Sequence, residues 1–115
     1  MVVDDDPSVR DLLRLTLPVD GFEVVEAGDG MQALGAARQR RLDLVLLDWR
    51  MPGASGHEVL RELKRREPDL PVIVLTAEPA SALRDVARSL GADEFLTKPF
   101  SPLELLGAVE RFLPA

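Results

Sequence analysis

The chain has no cysteine among its 115 residues. That excludes disulfides, thiolate metal sites and a cysteine nucleophile, although it says little about compartment. Positive charge is also short: 14 Lys and Arg stand against 20 Asp and Glu, a formal net charge of −6. An acidic domain lacks the electrostatic footprint of a nucleic-acid binder, and contact with anionic membranes is disfavoured for the same reason. No apolar run approaches transmembrane length, and no signal peptide precedes the first apolar run. A cytoplasmic protein with no membrane contact is therefore the expectation. Aromatic residues make up only 4%, with a single tryptophan, Trp49, and there is one histidine, His57.

What is present describes an ordinary globular chain, with 46% hydrophobic and 30% charged residues. The length suits one domain over residues 1–115 and is enough to bury a core. No linker, low-complexity segment or internal repeat interrupts it. Short β-branched runs recur at Met1–Val3, Phe22–Ala27, Leu42–Leu47, Val72–Thr76 and Glu94–Thr97. Their nearly continuous apolarity, as in "LVLL" and "VIVL", predicts strands covered on both faces. Helical spacing lies between them. Val9, Leu12, Leu13, Thr16 and Leu17 mark one face, and so do Leu83, Val86, Ala87 and Leu90, with Gly91 at the C′ position. Leu105, Leu106, Val109, Phe112 and Leu113 form a third stripe, and the segments near 31–40 and 57–66 are compatible with helix. Asp6-Pro7, Ser55 with Glu58, and Ser101 with Glu104 supply start signals. Met51-Pro52-Gly53 reads as a turn. Five strands alternating with five helices predict an α/β fold with a parallel, doubly wound sheet. A ligand crevice then lies at the carboxyl ends of the strands.

The opening stretch "VVDDDPSVR" raises a difficulty. Adjacent carboxylates repel, and neither ionises comfortably beside the other in a partly dehydrated pocket. The helix cap accounts for Asp6 but leaves Asp4 and Asp5 unexplained. The other strand ends supply an answer: Asp48 follows the third run, Thr76-Ala77 the fourth and Lys98 the fifth. Three carboxylates, a hydroxyl and an ammonium around one crevice suit a hard divalent cation and an anion. Oxygen ligands without His or Cys favour Mg²⁺ over zinc or copper. A carboxylate on a rigid strand beside two cations can attack a phosphoryl group.

With these residues in place, "VVDDDPSVR", "LVLLDWRMPGASG", "VIVLTAE" and "GADEFLTKPFSPLELL" resemble the response-regulator receiver domains of two-component signalling. The resemblance spans essentially the whole chain and implies a flavodoxin-like (βα)5 fold with strand order 2-1-3-4-5. It implies that Asp48 is the phosphoacceptor and that Lys98, the Thr76 hydroxyl and the Ala77 N–H bind phosphoryl oxygens. Asp5, Asp48 and the Arg50 carbonyl would hold Mg²⁺ directly, and Asp4 would do so through water. Phe95 would turn inward behind Thr76 as part of a switch, and Lys98-Pro99 would be cis. Phe95 stands where tyrosine is frequent, so its ring reports packing without donating a hydrogen bond. Gly107 and Ala108 stand where winged-helix relatives commonly carry a dimer-forming arginine, which weakens the case for that dimer. The implied partners are a histidine kinase or phosphotransfer protein and an output protein or fused output domain contacted through the helix 4–strand 5–helix 5 face.

Several residues keep two readings. Arg50 and Glu78 either pair across the rim and govern water access, or are solvated charges contributing little. Trp49 is either a lid or a half-exposed loop residue. His57 reads as an exposed structural residue, and the clusters "RQRR" and "KRR" read as solvated helix ends. Two other functions compete: a degenerate receiver acting as a constitutive interaction module, and a small aspartate-nucleophile phosphatase. The phosphatase would need an acid where Arg50 stands. A flavodoxin would place a phosphate against three aspartates.

Overall fold

A computed structural model of the chain describes residues 1–16, 23–51, 55–77 and 81–113. Strands β1 (Val2–Val3), β2 (Glu26–Ala27), β3 (Val45–Asp48), β4 (Val72–Thr76) and β5 (Glu94–Thr97) alternate with five helices. These are α1 (Pro7–Thr16), α2 (Gly30–Gln39), α3 (Gly56–Arg66), α4 (Ser81–Ser89) and α5 (Pro102–Phe112). All strand pairs are parallel, and the sheet order is β2-β1-β3-β4-β5.

Alternation along the strands divides the core in two. Val45, Leu47, Val72, Val74 and Phe95 pack with Ala33, Val59, Leu60, Leu63 and Ala87 from α2, α3 and α4. Leu46, Ile73, Leu75 and Leu96 face the other way, towards Leu13 of α1 and Leu105, Ala108 and Val109 of α5. The central strands are thus covered on both sides, which is why their sequences read as unbroken apolar runs.

Local chemistry sets the helix ends. Asp6 Oδ1 accepts from the Ser8 N–H at 2.9 Å. Ser55 and Ser101 cap α3 and α5, and Ser101 with Glu104 forms the full reciprocal box. The Ser55 hydroxyl instead meets the Glu58 carboxylate side chain to side chain. Asp29 caps α2 by accepting from Gln32, a start signal the sequence reading passed over. After α4, Gly91 takes φ +104, and the Gly91 and Ala92 N–H groups return to Arg88 and Ala87. This paired return requires a left-handed residue, which glycine adopts without a Cβ penalty.

Strands β2 and β3 differ from their apolar runs by more than one residue. Among the described residues of that run, Glu26 and Ala27 pair in β2, opposite Val2 and Val3 of the two-residue β1. Leu42 and Leu44 are buried ahead of β3 without joining it. The strand runs instead to Asp48, whose backbone is in register with Leu75 of β4. In α4, Ala87 is buried but Val86 is exposed, so the predicted stripe sits slightly rotated. Leu17, Phe22, Pro52, Gly53 and the Leu83 side chain lie outside the described residues.

Gly56 anchors the return of α3 against the Asp48 strand. Its N–H donates to the Trp49 carbonyl at 3.2 Å. A Cβ there would lie 2.7 Å from the Trp49 carbonyl oxygen and 2.8 Å from the Trp49 Cα. Both obstacles are main chain and cannot swing away. Gly56→Ala should therefore lower stability by about 1–3 kcal/mol, seen as a melting point lower by roughly 5–15 °C. A variant that melts at or above the wild-type temperature would contradict this close approach.

Candidate functional site

The carboxyl ends of β1, β3, β4 and β5 bring most of the expected residues to one crevice. Asp4, the first residue after β1, is 0% exposed. Its Oδ2 lies 2.7 Å from Lys98 Nζ, and its Oδ1 accepts from the Asp6 N–H at 3.0 Å. Asp48, the last residue of β3, is 6% exposed, and its Oδ1 lies 3.4 Å from the same Lys98 Nζ. The Arg50 N–H donates to the Asp48 carboxylate. Asp5 is exposed at the mouth. One carboxylate oxygen each from Asp4, Asp5 and Asp48 lie within 4.8 Å of one another.

Thr76 closes β4 at 3% exposure, in register with Thr97, and Ala77 follows it at the surface. The Lys98 N–H donates to the Thr76 carbonyl at 2.7 Å, which ties the ends of β4 and β5 together. The Lys98–Pro99 peptide bond is cis. Phe95 is half-buried and in register with Val74, on the side of the sheet that Thr76 shares two residues on. Arg50 is exposed, while Glu78 and any pairing across the rim lie outside the described residues. Trp49 is half-buried against the core, its ring centroid 6.1 Å from that of exposed His57.

Arg10 is a residue that sequence reasoning missed. Its Nη1 donates to the Asp4 carbonyl at 2.7 Å, and its Nε lies 3.6 Å from Glu26 Oε1. The available signal was position: Arg10 is the first cation after the acidic run, one turn into α1 and facing back over the loop. A cavity of about 680 Å³ near Val24, Arg40, Leu44 and Phe112 opens at the other end of the strands and contains none of these groups.

Electrostatics follow from burial. Desolvation pushes the Asp48 carboxyl up from 3.8 to about 6, and the Asp4 charge adds to the rise. Lys98 and the Arg50 N–H pull it back without cancelling it. For Lys98, burial works to lower the ammonium's pKa. The Asp4 hydrogen bond and the charges of Asp48 and Asp4 outweigh burial, so the net shift is upward and the group stays charged. The result is an acidic pocket held by one cation, with an oxygen-only donor set at its mouth. Carboxylate donors without nitrogen or sulfur fit a hard ion such as Mg²⁺.

Comparison with known proteins gives a consistent picture. The family model for the response regulator receiver domain matches residues 1–110. The phosphate regulon transcriptional regulatory protein PhoB of Pseudomonas aeruginosa is 40% identical over 115 residues, covering 98% of this chain and 50% of that protein. Among solved structures, the chemotaxis protein CheY4 of Vibrio cholerae superposes with a TM-score of 0.91 at 33% identity, over 97% of this chain and 95% of that one. The BeF3-activated receiver domain of DrrB also reaches 0.91, at 32% identity, over 99% and 95%. The chain spans about half the length of the curated relatives it matches.

Proposed function

The chain belongs to the response-regulator receiver family, and on that premise we propose that it is a phosphoacceptor switch with Asp48 as the acceptor. The observation that carries this reading is the Lys98 ammonium between the buried Asp4 and Asp48 carboxylates, with Asp5 alongside. A carboxylate whose ionisation is hindered by burial, yet held beside a fixed cation, is a poised nucleophile. An Asp48 oxygen attacks phosphorus in line, the bond to the donor's imidazole nitrogen breaks, and an acyl phosphate forms. Lys98 moves onto a phosphoryl oxygen, and the Thr76 hydroxyl and Ala77 N–H close on the others. The Asp4, Asp5 and Asp48 carboxylates and the Arg50 carbonyl would hold Mg²⁺, which supplies neutralisation of the phosphoryl charge. Arg50 and Glu78 at the rim would govern water access and hence acyl-phosphate lifetime.

The donor is a histidine kinase or a phosphotransfer protein. No separate substrate is turned over. The phosphoryl group acts as a differential ligand, favouring a conformer in which Thr76 and Phe95 move and the α4–β5–α5 face engages an output protein or fused output domain. With a net charge of −6, the domain itself is not the element that contacts nucleic acid. No helix among the described residues is long and apolar enough to cross a membrane, and the site of action is the cytoplasm.

Trp49 reports on the site because it adjoins Asp48 in sequence and its backbone N–H donates to the Leu75 carbonyl of β4 at 2.9 Å. Its fluorescence should change on adding Mg²⁺ and change again on adding beryllofluoride, a phosphoryl mimic. Asp48→Asn should abolish the second response. A wild-type spectrum unmoved by beryllofluoride, with Mg²⁺ binding established by calorimetry, would count against the phosphoacceptor reading.

A further inference from the structure

Phe95 carries two cations. The Arg84 guanidinium carbon lies 5.8 Å from the ring centroid, and that of Arg88 lies 5.5 Å from it. Both arginines come from α4, one turn apart, and reach down onto the β5 surface. Either position is within the range at which an aromatic face attracts a cation. Arg84 does more than cover the ring. Its Nη2 lies 3.4 Å from Thr97 Oγ1, and Thr97 is the cross-strand neighbour of Thr76. The guanidinium therefore sits beside the path from the Phe95 ring to Thr76. Its Nε is buried with no hydrogen-bond partner among the described residues. A buried donor without an acceptor is unfavourable, so the attraction of ring and hydroxyl for Arg84 is offset where it rests.

We propose that Arg84 and Arg88 form a two-cation brace that holds Phe95 in its resting position and sets how readily the switch closes. This inference rests on the phosphoacceptor reading for its consequence, but the brace itself is a property of the metal-free protein. For the ring to turn behind Thr76, Arg84 must leave the space beside Thr97 and Arg88 must release the ring. Removing either guanidinium raises the population of the closed conformer. By linkage, it also tightens binding of any ligand that selects that conformer. The brace explains how a phenylalanine, with no hydroxyl to anchor it, keeps a defined resting position at the sheet edge.

The test uses the full chain with Arg88→Gln, Arg84→Gln, the double variant, and Arg88→Lys, which retains a cation. In the metal-free protein, the nuclear Overhauser contact between the Phe95 ring and the Thr76 methyl should strengthen in both single variants and most in the double. Arg88→Lys should stay close to wild type. With Mg²⁺ saturating, beryllofluoride affinity should rise about two- to fivefold for each lost guanidinium, while Mg²⁺ affinity alone stays unchanged. Because Arg88 is the outer of the two, its single variant remains informative if the Arg84 variants fold poorly. An unchanged Phe95–Thr76 contact in Arg88→Gln would overturn the brace, whatever beryllofluoride does. If that contact strengthens while no form binds beryllofluoride, the brace stands and the phosphoacceptor reading fails.

Discussion

Replacing Lys98 with methionine should cost the metal-free protein on the order of 2–4 kcal/mol at about pH 7.5, a large share of the stability of a domain this size. Lys98 is the single described cation within ion-pair distance of Asp4 and Asp48, at 2.7 and 3.4 Å. Methionine preserves most of the stem but leaves two buried carboxylates facing each other without a counter-charge. The pocket is not sealed, since the Lys98 side chain is 23% exposed. The expected loss therefore falls short of that for a fully buried pair.

The sign of the pH dependence follows from Asp48. Its folded pKa already lies above its ordinary value, at about 6 against 3.8, and losing Lys98 raises it further. A carboxyl with a raised folded pKa binds its proton more tightly when folded, so stability falls as pH climbs from the unfolded value through the folded one. The penalty of Lys98→Met should accordingly be small near pH 4 and should grow as pH climbs through and beyond 6. Mg²⁺ should stabilise this variant more than wild type, because the ion supplies the missing charge. Thermal melts with EDTA and with Mg²⁺, at both ends of this pH range, test each part. A variant melting within about 2 °C of wild type in EDTA at pH 7.5 would contradict the charge assignment.

The second large effect has the opposite sign. Asp48→Asn should raise the melting temperature in EDTA at about pH 7.5, because the ionised carboxylate is held in a site that resists its charge. The rise to about 6 corresponds to at most roughly 3 kcal/mol, and a gain of about 1–3 kcal/mol is expected. The gain should shrink as pH falls from the folded value of about 6 towards 3.8, and vanish only below that, where the wild-type carboxyl is protonated in both states. Asp5→Asn separates the binding role from the strain. Asp5 is exposed, so water screens its charge and its removal should raise the metal-free melting point only slightly. The same change should remove most of the Mg²⁺-induced stabilisation, which at tenfold excess over the dissociation constant is roughly 1.4 kcal/mol. An Asp5→Asn variant that responds to Mg²⁺ as strongly as wild type would exclude Asp5 as a ligand.

Much of the fold is legible in the sequence because it rests on local signals. Buried parallel strands must be apolar on both faces, so "LVLL" and "VIVL" announce themselves, and Ser101, Ser55 and Gly91 mark helix ends by chemistry that acts within a few residues. Strand limits are less legible because they depend on a neighbour. Nothing in the run itself states that, among its described residues, the pairing is confined to Glu26 and Ala27. The acidic site was visible because its members fall at strand ends, which the fold class brings together. The division of labour among the aspartates was not. Burial of Asp4 and exposure of Asp5 depend on how the loop turns after Val3, with Arg10 gripping the Asp4 carbonyl. Nothing local to Arg84 and Arg88 marks them, because only the packing of α4 over β5 sets them on Phe95.

The most direct test of the account is the intact mass of the chain after incubation with acetyl phosphate and Mg²⁺, followed by peptide mapping of the labelled residue. One phosphoryl group should be added to wild type, located on Asp48, lost on adding EDTA before the donor, and absent from Asp48→Asn. Equal labelling of Asp48→Asn, or a label mapped to another residue, would contradict the account.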